Sequence, residues 1–243
     1  MSAIKRIVLH GHTLGTGEEA LALNPTVPRA LIFLLSPANS SGTRARQLVS
    51  PRAQFDLAQR LRLTGAPLGE IFSFISGLYF RGKLTYARKF AGPSPDPAIR
   101  IITPAAGLLS PSTLVTLESL REITSGLVDP DLPAYREPLD RDARELQATL
   151  HPDAHVVLLG SIATTKYVGP LLQIFGERLV FPAEFVGRGD MSRGGLLLRA
   201  SRSGTSLNYI PVLGAQRSGG RPPKLKKLKS KISKCAKRGA PKP

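Results

Sequence analysis

The chain has 243 residues, a formal net charge of +17, one cysteine, no tryptophan and only 6% aromatic residues. A single cysteine excludes an intrachain disulfide, and the few rings argue against a recognition surface of stacked aromatics. No apolar run reaches the about 18 residues of a membrane-spanning helix, and the first residues lack the apolar stretch of a secretory signal. We therefore expect a cytoplasmic protein without a membrane partner.

The positive charge is concentrated in residues 217–243, which contain 11 Lys and Arg residues and no acid, whereas residues 1–216 have a net charge of +6. Like charges with Gly and Pro predict a disordered tail after a single domain at 1–216. We expect the tail to bind DNA or RNA through phosphates, which would allow association with the nucleoid, with a solubilising role as the alternative. The cations concerned are Lys224, Lys226, Lys227, Lys229, Lys231, Lys234, Lys237 and Arg238.

Short apolar runs alternate with amphipathic segments along the first part of the domain. Strands are predicted at 5–11, 30–36, 70–77 and 98–105, and helices at 51–63, 83–91 and 112–123.

The same alternation continues in the second part. A helix is predicted at 139–150, where Leu139, Ala143, Leu146 and Leu150 share one face, and a second helix at 165–176; strands are predicted at 154–161 and 178–185, and a hairpin at 195–212. The pattern predicts an α/β fold, in which a mostly parallel sheet is covered by helices on both faces and ends in a C-terminal antiparallel hairpin.

Polar or glycine-rich stretches follow most of the predicted strands. The carboxyl ends of parallel strands lie on one side of a sheet, where ligands bind. Cations recur in these stretches, at Arg44, Arg46, Arg81, Lys83, Lys166, Arg188 and Arg193. We expect a pocket there for a nucleotide or another small anionic ligand, although Gly, Pro and Ser are common in all loops.

The stretch HVVLLGSIATTKYVGPLL passes from a strand through small residues into a helix. It is not a P-loop, because Thr165 precedes Lys166 where a glycine is needed and Tyr167 follows it. Ser161, Thr165 and Lys166 could still hold an anion at the helix N-terminus. The alternative is that Thr164 only caps the helix.

The segment FPAEFVGRGDMSRGG places Glu184 and Asp190 among Arg188 and Arg193. Two carboxylates beside two guanidinium groups could supply an acid or base and an anion clamp. A salt-bridged loop is the structural alternative.

The segment SGLYFRGKLTYARKF interleaves tyrosines and cations, of which Tyr79 could stack on a base and Arg81 could contact its phosphate. A solvated helix face explains the same pattern. No metal or cofactor site is predicted, because no cysteine or carboxylate cluster completes the pair His10 and His12.

Three segments together resemble the bacterial domains related to the peroxide-stress protein YaaA. The matching residues are Ser76, Leu78, Tyr79, Tyr86, Ala87, Ala106, Gly107, Leu108, Leu109, Gly160, Tyr167, Pro182, Gly187 and Gly189. The chain differs in the loop SPANSSGTRARQL after the strand predicted at 30–36, at Ala106 and in its Lys-rich tail. The resemblance implies an α/β fold and a link to DNA damage, oxidative stress or modified bases, but no catalytic residue.

These patterns lead to one main functional hypothesis and two rivals. The main hypothesis is a nucleic-acid-associated protein whose strand-end pocket takes a nucleotide, a phosphate or a flipped base. The first rival is an enzyme acting on a nucleoside, nucleotide or base, such as an N-glycosidic hydrolase or transferase, which would use Glu184 or Asp190. The second is an architectural DNA-binding protein.

Overall fold

The structure, a computed structural model, describes residues 30–92 and 98–223. The strand predicted at 5–11 and the tail cations from Lys224 onward lie outside these residues. The first half contains β1 (Leu31–Leu35), α1 (Thr43–Val49), α2 (Asp56–Leu63), β2 (Ala66–Pro67), α3 (Leu68–Ser76), α4 (Leu78–Phe90), β3 (Ile99–Ile102), β4 (Leu108–Leu109), β5 (Leu114–Val115) and α5 (Leu117–Ile123). The second half contains α6 (Pro133–Thr149), β6 (His155–Leu159), α7 (Thr165–Phe175), β7 (Leu179–Pro182), α8 (Asp190–Ser203) and β8 (Tyr209–Pro211).

The main sheet has six strands in the order β4-β3-β1-β6-β7-β8. The four inner strands are parallel, and β4 and β8 pair antiparallel at the two edges. Among the described residues, β2 and β5 form a separate antiparallel pair. The predicted α/β fold with a mostly parallel sheet is confirmed.

The central strands β1 and β6 have almost continuous apolar sequences, LIFLL and HVVLL. Successive strand residues point to opposite faces of a sheet. Phe33, Leu34 and Leu35 are all fully buried, so both faces of β1 are covered. This double coverage explains why the two strands were recognisable from the sequence.

Helices α4 and α8 cross with their backbones unusually close together. A Cβ atom on Gly194 would lie 2.9 Å from the Leu78 carbonyl oxygen, and one on Gly82 would lie 2.8 Å from the Gly194 carbonyl oxygen. Only glycine fits such an approach. The crossing brings the side chains of Lys83 and Arg193 to the same end of the sheet.

The predicted strand at 70–77 is wrong, because these residues form helix α3 and its C-cap Gly77. Ile71, Phe72 and Ile75 are buried at helical spacing. The segment is apolar enough to suit a buried strand, but its apolar residues also fit the period of a helix with one buried face.

The hairpin predicted at 195–212 is also wrong. Helix α8 continues through Ser203, and the chain then reaches β8. Arg193, Leu197 and Ala200 are buried at spacings of three and four, as one helix face requires. The expected antiparallel edge is nevertheless present, because β8 pairs with β7.

Other boundaries differ by a few residues. Helix α6 begins at Pro133, before the predicted 139, and the predicted helix at 112–123 contains β5 before α5. In the part of the chain that the structure describes, no helix combines the length and apolarity needed to cross a membrane.

Candidate functional site

Two features lie at the carboxyl ends of the parallel strands. One is a buried cluster of Tyr79, Lys83 and Arg193, here called the buried cationic cluster, and the other is a group of arginines at the surface. Lys83 is 1% exposed. Its Nζ donates to the Ser36 carbonyl oxygen at 2.5 Å and to Ser36 Oγ at 2.8 Å. Ser36 directly follows β1, so the amine lies at the end of that strand.

Arg193 is 7% exposed and binds the ends of the next two strands. Its Nη1 donates to the carbonyl oxygen of Gly160 at 3.3 Å, directly after β6. Its Nε and Nη2 donate to the carbonyl oxygen of Phe185 at 3.3 and 3.2 Å, shortly after β7. Lys83 and Arg193 therefore hold the carboxyl ends of three neighbouring parallel strands.

Lys83 has no ion pair with a carboxylate among the described residues. Its Nζ lies 4.5 Å from the ring centroid of Tyr79 and 5.0 Å from that of Phe80. Burial lowers the pKa of Lys83 to about 7, the charge of Asp190 opposes this change, and Arg193 adds to it. A substantial fraction of this amine is therefore neutral near neutral pH.

The Tyr79 hydroxyl is buried beside the Arg193 guanidinium group but makes no hydrogen bond of good geometry in the described part of the chain. Burial raises the pKa of Tyr79, and the nearby charge of Arg193 opposes that rise. A buried hydroxyl without a partner costs about 1–3 kcal/mol. A ligand that forms a hydrogen bond with this hydroxyl is one explanation for its position.

The small-residue stretch before α7 begins at Gly160, which Arg193 binds, but its predicted anion-binding residues Thr165 and Lys166 do not join the buried cationic cluster. Thr165 and Lys166 are exposed and line a different depression, together with Asp129 and Asp131. Thr164 occupies the N-cap of α7, but its side chain makes no capping hydrogen bond. Its Oγ1 donates instead to Oγ of the half-buried Ser161 at 3.5 Å.

Glu184 faces a pair of tyrosines. Its Oε1 accepts from the Asn208 backbone N–H at 3.2 Å, and its Oε2 is buried without a partner among the described residues. The hydroxyls of Tyr86 and Tyr209 are 2.6 Å apart, and the Leu207 N–H donates to Tyr86 at 2.8 Å. Burial is the main cause that raises the pKa of both tyrosines, and the charge of Glu184 adds to it.

Asp190 is in a different environment. Its side chain is 70% exposed at the start of α8, and its Oδ1 lies 3.9 Å from Arg193 Nη1. Its charge favours the protonated forms of Lys83 and Tyr167, and together with burial it raises the pKa of Tyr167 to about 12. The two predicted carboxylates therefore have different surroundings, and only Asp190 acts on the buried cationic cluster.

Five arginines, of which Arg188 and Arg199 are half-buried and the others exposed, surround Met191, which is 69% exposed and lines two adjoining depressions. One depression has two arginines and the other has three. Within residues 30–92 and 98–223, none of the five forms an ion pair with a carboxylate. We call this surface the arginine face, and its residues are Arg44, Arg81, Arg188, Arg199 and Arg221 with Met191.

The arginine face and the buried cationic cluster are consecutive in the chain. Leu78 lines one depression and precedes Tyr79, and Ser192 lines the other and precedes Arg193. The arginines of this face therefore lie close to the buried cations, at the same end of the sheet.

The last described residues lie against the arginine face. A Cβ atom on Gly187, which has a positive φ of 68°, would lie 2.1 Å from the Gly220 carbonyl oxygen, so residues 219–222 cross this loop closely. Pro222 lines the same depression as Arg199. The lysine-rich segment therefore continues, in the sequence, from the arginine face.

Sequence reasoning named Tyr79, Arg81, Arg188 and Arg193, and the structure places all four on or beside these two features. It counted Lys83 among the cations after the strand ends but gave this lysine no individual role, although its i, i+4 spacing from Tyr79 was a signal. Other omissions are Arg199, Arg221 and Met191, because Arg199 lay in the supposed hairpin and Arg221 in the tail.

Comparison of the chain with protein-family models, with curated proteins and with solved structures finds no match. The described residues contain no group of three or more His, Cys, Asp or Glu side chains that could hold a metal ion.

Proposed function

We propose that the protein binds nucleic acid, with the arginine face as its phosphate-contacting surface and the Lys-rich segment from Lys224 as an extension of it. One observation carries the proposal: five arginines without a carboxylate partner in the described residues surround one exposed methionine. A planar guanidinium group matches phosphate oxygens, and clustered cations of this kind attract a polyanion.

The arginines of this face do not neutralise one another's charge through a network of surface ion pairs. Arg44 and Arg188 donate only to uncharged groups, such as the carbonyl oxygens of Phe74 and Glu184. Like charges that share a depression repel one another, whereas a phosphate backbone would neutralise them. Because Met191 is apolar, it could contact the sugar or base between two phosphates.

Titration of a labelled oligonucleotide against the full chain tests this proposal. The double variant Arg81→Ala with Arg199→Ala should weaken binding and lower the slope of log affinity against log salt by about 0.7–0.9 for each lost phosphate contact. Arg141→Ala with Arg144→Ala removes the same charge from the ion-paired surface of α6 and should leave the slope unchanged. If both double variants change affinity and salt slope equally, the effect is one of net charge alone, and the arginine face is not the binding surface.

A second candidate function is an enzyme acting on a nucleoside, nucleotide or base, favoured by the buried cationic cluster. A neutral lysine amine can act as a nucleophile or a base near neutral pH. The Tyr79 hydroxyl, which makes no hydrogen bond of good geometry in the described residues, could bind a substrate atom once the site opens. Asp190 would then set the charge of the site, and Glu184 remains the alternative acid or base.

Release of free base from nucleic acid or nucleosides, followed by chromatography, tests the enzyme proposal. Lys83→Met should abolish turnover, whereas Lys89→Met, an exposed lysine on the same helix, should retain it. Glu184→Gln and Asp190→Asn separate the two carboxylates. Activity that survives in Lys83→Met would exclude the amine as the reacting group.

The wider role of the protein is also a proposal. The segments that resemble the YaaA-related domains include the Tyr79 region and the residues after β6, which lie at this end of the sheet. We propose a cytoplasmic, nucleoid-associated role in the response to DNA damage or oxidative stress. A change in survival after peroxide treatment of a deletion strain would test that role.

A further inference from the structure

Phe55 and Phe74 form a pair of stacked rings on the surface. Their ring centroids are 5.1 Å apart with an interplanar angle of 25°. Phe55 is 38% exposed, and Phe74 is half-buried. Both rings line a shallow depression together with Gln47, Ser50, Arg52 and Ala53.

Helix capping does not explain the position of Phe55. The residue is the N-cap of α2 and makes no side-chain capping hydrogen bond. Ser, Thr, Asp and Asn are the residues that stabilise this position. The N-cap position of α2 therefore lacks a side-chain hydrogen bond and carries instead a large apolar ring that is 38% exposed.

The loop that carries this ring is held in place by hydrogen bonds. Arg62 donates to the carbonyl oxygens of Ser50 at 3.2 Å and Ala53 at 2.6 Å. Gln59 Nε2 donates to the carbonyl oxygen of Gln54 at 2.8 Å. A surface ordered before binding loses less entropy when a ligand binds.

The ring pair is continuous with the arginine face. Arg44, a member of that face, donates from Nη1 to the Phe74 carbonyl oxygen at 3.4 Å. Arg52 lines the depression itself and has no ion pair in the described part of the chain. The neighbouring acid, Asp56, is neutralised by Arg60 at 2.8 Å. One cation therefore contacts the backbone of Phe74, and a second lines the depression that holds the rings.

We infer that an unpaired base of a single-stranded nucleic acid stacks on the ring pair of Phe55 and Phe74. The phosphates of the same strand would contact Arg44 and Arg52. This inference rests on the proposed nucleic-acid function and adds strand selectivity to it. Bases in a duplex are already stacked on their neighbours and cannot lie on a ring pair at the protein surface without unpairing. Two rings can hold one base, so the low aromatic content of the chain does not oppose this arrangement.

The test compares a labelled single strand with its duplex by fluorescence anisotropy of the full chain. Phe55→Ala and Phe74→Ala should each weaken single-strand binding about fivefold or more, because stacking on an aromatic ring has roughly that effect or a larger one. Duplex binding should change less than about twofold. Leu63→Ala removes another exposed apolar side chain from α2 and is the matched control for both strands.

A substitution that keeps the ring protects the test against misfolding. Phe55→Trp should retain single-strand affinity, and because the chain has no tryptophan, the introduced indole would be its only such fluorophore. A stacked base should quench that fluorescence, while a duplex should leave it unchanged.

The possible failures are distinguishable. If the wild-type chain binds neither strand form, the proposed function and this inference both fall. If it binds and loses affinity in the arginine variants but not in Phe55→Ala or Phe74→Ala, only the base platform is wrong. Equal losses for single strand and duplex, or an unquenched indole in a bound complex, also exclude stacking.

Discussion

Arginines serve opposite purposes in two regions of the molecule. On α6, Arg136 and Arg144 both bind Asp140, at 2.7 and 3.4 Å, and Arg141 binds Asp142 at 2.8 Å. On the arginine face, five guanidinium groups have no carboxylate partner in the described residues. The comparison teaches that the bare count of arginines has little meaning until each one is assigned a partner.

The paired region is also connected to the fold. Asp142 accepts the Leu108 N–H at 2.7 Å, which attaches α6 to the edge strand β4. Asp140 is buried, so its two arginine partners compensate for the loss of solvent around its charge. On the arginine face, Arg44 and Arg188 donate only to carbonyl or hydroxyl oxygens, so no carboxylate in the described residues offsets their charge.

The largest expected effect comes from the helix crossing that supports the arginine face. Gly194→Ala should destabilise the fold by about 3 kcal/mol or more, because its Cβ would lie 2.9 Å from the backbone of Leu78 and Tyr79. Gly195→Ala, whose Cβ would meet nothing within 4 Å, should be neutral or stabilising by up to about 1 kcal/mol. Urea unfolding measures both, and equal stability of the two variants would contradict the observed crossing.

The next effect is a pH dependence caused by Lys83. Its pKa is about 7 in the fold, against its usual value of 10.5 in the unfolded chain. Between these values the unfolded chain holds more protons at this site, so stability rises with pH by up to about 1.4 kcal/mol per unit. Above about pH 10, the tyrosines whose pKa burial raises reverse the trend, since they ionise only on unfolding.

Unfolding measurements from pH 7 to about pH 10 test this prediction. Lys83→Met should flatten the rise, and its advantage over the wild type should be greatest at the acidic end, where the wild-type amine is charged while buried. Lys89→Met should keep the full rise. A wild-type stability that is flat across this range would show that the Lys83 amine stays charged.

A smaller effect separates the two arginine regions directly. Arg136→Ala should cost about 1–3 kcal/mol, because it leaves the buried Asp140 with a weaker set of partners. Arg199→Ala should change stability by less than about 0.5 kcal/mol and act only on nucleic-acid affinity. Thermal unfolding of both variants measures the stability effects, and oligonucleotide titration measures the effects on affinity. A large loss of stability in Arg199→Ala would contradict the proposed difference between the two arginine regions.

Sequence patterns predicted the parts of the fold where composition and period agree. Strands β1 and β6 are continuous apolar runs with both faces buried, so they could be recognised. Helix α8 could not, because GGLLLRAS combines two glycines, which disfavour helices, with a leucine triplet that fits either period. The helical spacing of its buried residues, such as Gly194 and Leu197, is recognisable only in the folded structure, where α8 packs against α4.

The candidate site was predictable in part for a similar reason. Cations after strand ends indicated the end of the sheet at which the structure places Arg193 and Tyr79. Pattern alone could not separate Lys166, which is exposed in another depression, from Lys83, which is buried. The burial of Lys83 depends on the packing of α4 against α8. The spacing of residues within one segment of sequence does not reveal that contact.

The smallest expected effect on the fold is that of deleting residues 224–243. The last described residues, up to Pro222, already pack against the Arg188 loop, so the melting temperature should stay within about 2 °C of the full chain. Nucleic-acid affinity should fall, because eight lysines and one arginine are removed. It should not disappear, since the arginine face retains its five guanidinium groups, and the remaining binding should still respond to Arg199→Ala. Complete loss of binding in the truncated chain would instead make the Lys-rich segment the whole interface and reduce the arginine face to a solvated surface.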